Sequence, residues 1–253
     1  MKKIVLVLAA LVMVGSNVYA EGMKCQAGKC GAGMAKAKQD KQMTGKKMPT
    51  RFQAVSPDKA VILQEGEAKL FCPKCGMTLS MFYKTNHAAH VDGKPEQYCS
   101  IHCLAETMAD GGKVTDLKVV DNTTLKFIDA STASYVFGSS KAGTMSMTSK
   151  YAFANKADAE AFAKEFGGKV INFDDTLASV KSTLAKESTM VKKKQGMMAK
   201  KGEMMFNKMC KPVEVKFNSV AEAKTYLKTQ KPCGELKGKK LQAIGLYLNL
   251  RNK

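Results

Sequence analysis

Apolar and polar positions between residues 70 and 176 alternate between the period of a strand and the period of a helix. "HAAHVDG" and "KPEQYC" are two short extended runs around a Gly-containing turn, which predicts a hairpin. Ser100 then reads as the N-cap of a helix, "IHCLAETMADGG", stopped by Gly111 and Gly112. Three β-rich runs follow, "VTDLKVVD", "TLKFIDA" and "ASYVFGSS", divided by polar turns. In "KAGTMSMTSKYAF", Met145 and Met147 flank Ser146, and an extended chain would put both on one face. Ala159, Phe162, Ala163 and Phe166 fall at i, i+3, i+4 and i+7, an amphipathic helix ended by Gly167 and Gly168, with the strand "KVINF" directly after. Upstream, "CPKCGMTLSMFYK" runs on into a strand-like segment.

Outside this stretch the pattern changes. Residues 21–66 show no sustained apolar period and are rich in Gly, Lys, Met and Ala, which predicts a flexible arm. A charged helical connector runs from about Asp175 to Met205. Beyond it, "NSVAEAKTYLK" offers Ser219 and Glu222 as a capping box and Val220, Ala223 and Leu227 as an apolar stripe. The predicted organisation is α+β: a signal peptide (1–20), the arm (21–66), a metal-binding domain of antiparallel strands and short helices (67–178), a helical linker (179–201) and a small helical domain (202–253). The signal peptide is read from Lys2 and Lys3, the apolar "IVLVLAALVMV" and the small-residue pattern "NVYA" before Glu21. It predicts export, to the periplasm in a Gram-negative cell. No later stretch approaches the roughly 20 apolar residues of a membrane span, and no cysteine follows the cleavage point to carry a lipid.

Charge and composition narrow the chemistry. The chain carries a formal charge of +19, spread over "KAKQDKQMTGKK", "MVKKKQGMMAKK" and "LKGKK". These runs read as solvated linkers, with docking to an acidic partner or anionic headgroups as the functional alternative. Basic and aromatic residues are not interleaved, which argues against nucleic acid. Eight cysteines in an oxidising compartment allow four disulfides. Seventeen methionines push the other way, because soft thioether and thiolate sulfur select Cu(I) over harder ions.

Cys72 and Cys75 form a Cys-x2-Cys knuckle, and Cys99 and Cys103 flank a predicted helix N-terminus, where the dipole and free N–H groups favour thiolate. A knuckle, a hairpin and a helix start are the parts of a treble-clef metal site. Three uses remain open: one shared metal, two disulfides, or a redox dithiol. His102 is expected to face away from the sulfurs, and His87 and His90 to lie on the hairpin surface. No Ser/His/Asp set, carboxylate pair in a pocket motif or phosphate-cradling loop is visible, so an enzyme is not expected.

"CPKCGM", followed by "FIDASTASYVFGSSKAGTMSMTSKYAFANKADAEAFAKEFGGKVINFDD", resembles the NosL family of copper chaperones for nitrous oxide reductase. The resemblance places the family's knuckle on Cys72, Cys75, Gly76 and Met77, its strand aspartate on Asp129, and its Gly-x-Met on Gly143 and Met145. It implies an α+β domain that binds Cu(I) through Cys and Met sulfur and passes it to a copper enzyme's maturation machinery, nitrous oxide reductase or its ABC-type assembly factors. The chain departs from the family in lacking the lipidated cysteine and in carrying Thr144 and Ser146 around the methionine. "YCSIHC" is similar instead to metal-trafficking treble clefs.

"MKCQAGKCGAGM", with Cys25 and Cys30, resembles the repeats of small exported copper-buffering peptides, and a local disulfide in a tail is the alternative. The C-terminal part resembles a small class I cytochrome c in "GEMMFNKMC" and "KLQAIGLYLNL", but Cys210 is followed by Lys-Pro-Val, so no haem is expected. Cys210 and Cys233 then most simply form a disulfide. Met197, Met198, Met204, Met205 and Met209 read as core before copper patch.

The sequence therefore reads as an exported Cu(I) metallochaperone. Its metal ligands are drawn from Cys72, Cys75, Met77, Cys99, Cys103, Met145, Met147, Cys25 and Cys30, with Zn(II) as an alternative at the four-cysteine set. The competing readings are a Cys-x-x-Cys thiol oxidoreductase and a structural zinc module.

Overall fold

The predicted hairpin forms, with β1 (His87–Val91) antiparallel to β2 (Lys94–Tyr98). Its two-residue turn, Asp92-Gly93, takes positive φ at both positions, as a tight hairpin turn requires. The computed structural model describes residues 51–251; the predicted signal peptide, Cys25 and Cys30 lie outside the described residues. β3 (Val114–Val120) and β4 (Phe127–Asp129) complete a four-stranded sheet of order β2-β1-β3-β4. β5 (Ser134–Phe137), β6 (Lys150–Phe153) and β7 (Lys169–Ile171) form a second sheet of order β6-β5-β7. All ladders are antiparallel, and five α-helices accompany them, so the fold is α+β.

α1 (Ile101–Ala109) follows Ser100 as read, although the Ser100 side chain makes no capping bond. α2 (Lys156–Phe166) lays Phe162 against Tyr151 and Phe153 of β6, with centroids 5.5 and 5.1 Å apart. α3 (Phe173–Met209) is one continuous helix of 37 residues. Its first half packs Phe173 and Val180 with Ile101, Ala105 and Tyr135. Its second half meets α4 (Val220–Thr229) and α5 (Gly238–Leu250) around Phe206, Leu227, Ile244 and Leu248. Phe71, the residue before the knuckle, belongs to that C-terminal core. Ser219 caps α4 by accepting from Glu222 N (3.1 Å), while Glu222 accepts from Asn218 N rather than closing the box on Ser219. A disulfide joins Cys210 to Cys233.

Several local expectations are corrected. After the knuckle, Leu79–Thr85 is 3-10 helix, not strand. Only the preceding Thr78 makes a bridge, to Phe71, and the segment's amides bond to a mixture of local and distant carbonyls, as from Met81 N to Thr78 O (3.1 Å) and from Lys84 N to Gln53 O (3.1 Å), rather than to a ladder. Phe173 opens α3 rather than ending a strand, because Asn172 caps the helix by accepting from Asp175 N. His87 is buried, not a surface residue. Strand β1 is the second strand of its four-stranded sheet, and the imidazole there meets Thr85 O and the Tyr135 hydroxyl, each at 3.1 Å. Residues 51–66, read as part of the arm, carry buried Gln53 and Gln64. These donate to Ala142 O (2.7 Å) and Phe71 O (2.8 Å). On α3, Met197, Met204 and Met209 are exposed rather than core, because α4 and α5 cover the opposite face; Met198 and Met205 are partly buried there.

Candidate metal centre

The knuckle is a tight turn closed by its own backbone. Cys72 O accepts from Gly76 N and Met77 O from Cys72 N, both at 2.8 Å. Gly76 takes φ +70°, and a Cβ there would lie 2.4 Å from Val220 Cγ1, so only glycine fits. The second cysteine pair comes from the end of the hairpin and the start of α1. Ser100 is extended and turns the chain into the helix, placing Cys99 before it and Cys103 in its first turn.

The structure brings all four thiols together. Their Sγ atoms lie within 4.8 Å of one another, all four side chains are buried, and none is disulfide-bonded. Cys75 and Cys99 are 3.5 Å apart, Cys99 and Cys103 3.7 Å. Four buried sulfurs share their protons through mutual hydrogen bonds. Burial raises the Cys72 thiol, but bonds with Cys103, Cys75 and Cys99 outweigh it and hold Cys72 well below the usual thiol range. Cys103 is pushed well above that range, first by its bond to Cys72. On Cys99, the Cys103 bond pulls down, while the bonds with Cys72 and Cys75 and burial win and push it up. The negative charge belongs to the set and settles first on Cys72.

Met77 and Met145 border, partly buried, the apolar core cluster that contains the four cysteines together with Leu79, Tyr98 and Leu104. Met147 does not: it is 79% exposed. The expectation that both methionines share a face fails because Met145 takes φ +61°, which reverses the chain. Three bonds hold that turn. Thr144 Oγ1 lies 2.8 Å from Thr85 Oγ1, which is also 2.8 Å from Cys99 O. Ser146 donates to Glu187 Oε1 of α3 (2.7 Å) and accepts from Lys150 Nζ (2.8 Å). A Cβ on Gly143 would lie 2.5 Å from Ser146 O.

The remaining candidates lie elsewhere. His102 faces Glu187 and Glu106, at 3.4 and 3.6 Å, not the sulfurs. His90 pairs with Asp116 at 3.4 Å. Asp129 is exposed and accepts from Ser131 N (2.7 Å) and Oγ (2.6 Å).

Sequence reasoning missed two residues beside the knuckle. The Lys224 ammonium donates to Gly76 O, to Thr78 Oγ1 (3.3 Å) and to Gln242 Oε1 (2.8 Å), and Gln242 donates to Cys75 O (3.1 Å). Burial pushes Lys224 down to about 7, against the pull of the Cys75 and Cys72 thiolates. The available signal was a lysine one turn after Val220 and one turn before Leu227, on the apolar stripe of α4.

Chemically, the site is a closed set of four soft donors in an apolar cluster that two methionines border. It suits a thiophilic ion such as Cu(I) or Zn(II) and offers nothing to hard oxygen-seeking cations. No curated protein matches the chain. Among solved structures, the crystal structure of the copper chaperone NosL from Shewanella denitrificans is similar. It shares 26% identity over 50% of this chain and 96% of that one, with a TM-score of 0.36. The NosL family model matches residues 64–180, the stretch that holds all four thiols, Met77 and Met145.

Proposed function

We propose that the protein is an exported copper-binding metallochaperone that carries Cu(I) as cargo and delivers it to the maturation machinery of a copper enzyme, by family nitrous oxide reductase. The observation that carries this reading is the gathering of four free, buried thiols into one apolar cluster that Met77 and Met145 border, within the stretch that matches the NosL family model. Cys72, Cys75, Cys99 and Cys103 supply thiolates that bind Cu(I) tightly. The thioethers supply weaker, neutral sulfur through which the ion is exchanged stepwise with a partner's ligands. Export rests on the N-terminal sequence pattern, and Cys25 and Cys30 are proposed as auxiliary Cu(I) ligands on the arm.

One observation favours a second reading. The measured Sγ separations of 3.5 and 3.7 Å approach the about 3.8 Å edge of a tetrahedron built on Zn–S bonds of about 2.3 Å. A structural Zn(II) in the four-cysteine, treble-clef-like site therefore fits the donors as well.

Anaerobic titration of the reduced protein with Cu(I) against a competing chelator separates the two. Binding is expected to weaken both in Cys72→Ser/Cys75→Ser and in Met145→Ala, with the methionine effect at least several-fold. Unchanged Cu(I) affinity in Met145→Ala, together with Zn(II) bound tightly and retained, replaces the chaperone reading by the zinc module. Disulfide reductase activity that survives chelators would instead select the thiol oxidoreductase.

A further inference from the structure

Lys224 is 1% exposed, and lysine is almost never buried so completely without an anionic partner. Among the described residues, no carboxylate lies within ion-pair distance of it. Its three N–H donors are spent on neutral oxygens of Gly76, Thr78 and Gln242, and its ammonium sits 4.1 Å from the centre of the Phe71 ring. Through Gly76 O it holds the backbone of the knuckle itself, the residue directly after Cys75.

The surrounding structure is shaped to keep it there. Gly245 of α5 leaves room for the lysine stem: a Cβ at that position would lie 2.6 Å from Lys224 Cγ. Gln242, from the same helix, accepts from the ammonium and donates to Cys75 O, so one amide ties the cation to the knuckle backbone. Val220, one turn before Lys224, fills the space beside Gly76. Val220, Lys224, Gln242 and Gly245 all lie beyond residue 180, outside the part that matches the NosL family model.

Four thiolates outnumber the charge of any mono- or divalent ion that they hold, so a loaded site is an anion in a buried, low-dielectric place. A buried anion needs a counter-charge. We propose that Lys224 is a positioning residue for the metal centre: a fixed cation, supplied by the C-terminal helices, that stabilises the anionic metal–thiolate complex and keeps the ion in place. The C-terminal region is then an integral outer layer of the metal site rather than an appended module. The proposal rests on the reading of the four cysteines as ligands of one ion.

The test uses the full chain with its Cys210–Cys233 disulfide intact, loaded anaerobically with Co(II) as a spectroscopic probe. Wild type, Lys224→Met, Lys224→Gln and Gln242→Leu are compared by the energy of the thiolate-to-cobalt charge-transfer band and by affinity against a chelator. A nearby cation lowers the energy of the sulfur lone pairs. Both lysine variants are therefore expected to move the band to lower energy and to weaken retention roughly 10–100-fold, the range found for outer-layer partners of metal sites. Gln242→Leu keeps the charge and is expected to leave the band in place. Lys224→Gln keeps an N–H donor on a stem one carbon shorter, so it reports on charge where Lys224→Met fails to fold. An unshifted band and unchanged affinity in both lysine variants overturns the role of Lys224 and leaves the metal site standing. So does an equal band shift in Gln242→Leu, which would assign the effect to hydrogen bonding. A wild type that yields no thiolate–cobalt band overturns the four-cysteine reading itself, and this proposal with it.

Discussion

At the scale of single residues, the pattern of types picked out the four thiols that cluster but not the groups that brace them. Cys72, Cys75, Cys99 and Cys103 were legible because Cys-x2-Cys and Cys-x3-Cys spacings are short-range signals. Lys224 was not, because its partner Gly76 is 148 positions away. Met145 and Met147 looked equivalent, and only the left-handed backbone at Met145 separates them. His87 was misplaced because alternation along "HAAHV" does not reveal that both faces of β1 are covered. That burial has a measurable consequence. Burial pushes the His87 imidazole down from its ordinary value near 6.5 to about 4, so the native state holds it neutral. The depressed value makes its contribution to stability complete above about pH 6.5 and lost as pH falls through 4, by on the order of 3 kcal/mol. Urea unfolding between pH 7 and 4 is expected to show this loss, and His87→Gln to flatten the pH profile over that window.

At the scale of elements, the pattern of apolar positions found the hairpin, α1, α2, β3, β4, β5 and β7, but not β6, whose four residues are all buried and so show no alternation. It also failed where 3-10 turns replaced a ladder, in Leu79–Thr85, and where a polar cap, Asn172, started a helix early. α3 carries two glycines with opposite meanings. Gly196 has nothing within 4 Å of where its Cβ would stand, whereas a Cβ on Gly202 would lie 2.0 Å from Ala243 O of α5. Gly196→Ala is therefore expected to raise the thermal midpoint, by about 1 kcal/mol of helix propensity. Gly202→Ala, which has the same propensity gain, is expected to lower it by about 1–3 kcal/mol through overpacking. Two melting curves check both.

At the scale of the whole molecule, a single hydrophobic cluster joins Phe71, next to the knuckle, to the helices at the end of the chain. The sequence showed two regions of different character there, and their union was not legible because its contacts, Phe71 in the C-terminal core, Lys224 on Gly76 O, Gln242 on Cys75 O and Val220 beside Gly76, join positions far apart in the chain. The disulfide closes the C-terminal core between the end of α3 and the loop after α4. Cys210→Ser/Cys233→Ser is expected to cost about 2–4 kcal/mol of stability. Because α4 and α5 hold the knuckle, the same variant is expected to release metal to a chelator faster than wild type. Stopped-flow transfer to a chromogenic chelator, read beside thermal unfolding, measures both effects.

The Lys224–Gly76 bond also imposes an order of events. A chain is made from its N-terminus, so all four thiols emerge long before the lysine that holds the knuckle. Until the last helices arrive, the nascent knuckle lacks its Lys224 contact and its Val220 wall. Joining Gly76 to Lys224 closes a separation of 148 residues, and joining Cys75 to Gln242 one of 167, so the outer layer of the thiol cluster forms only once the C-terminal helices are complete.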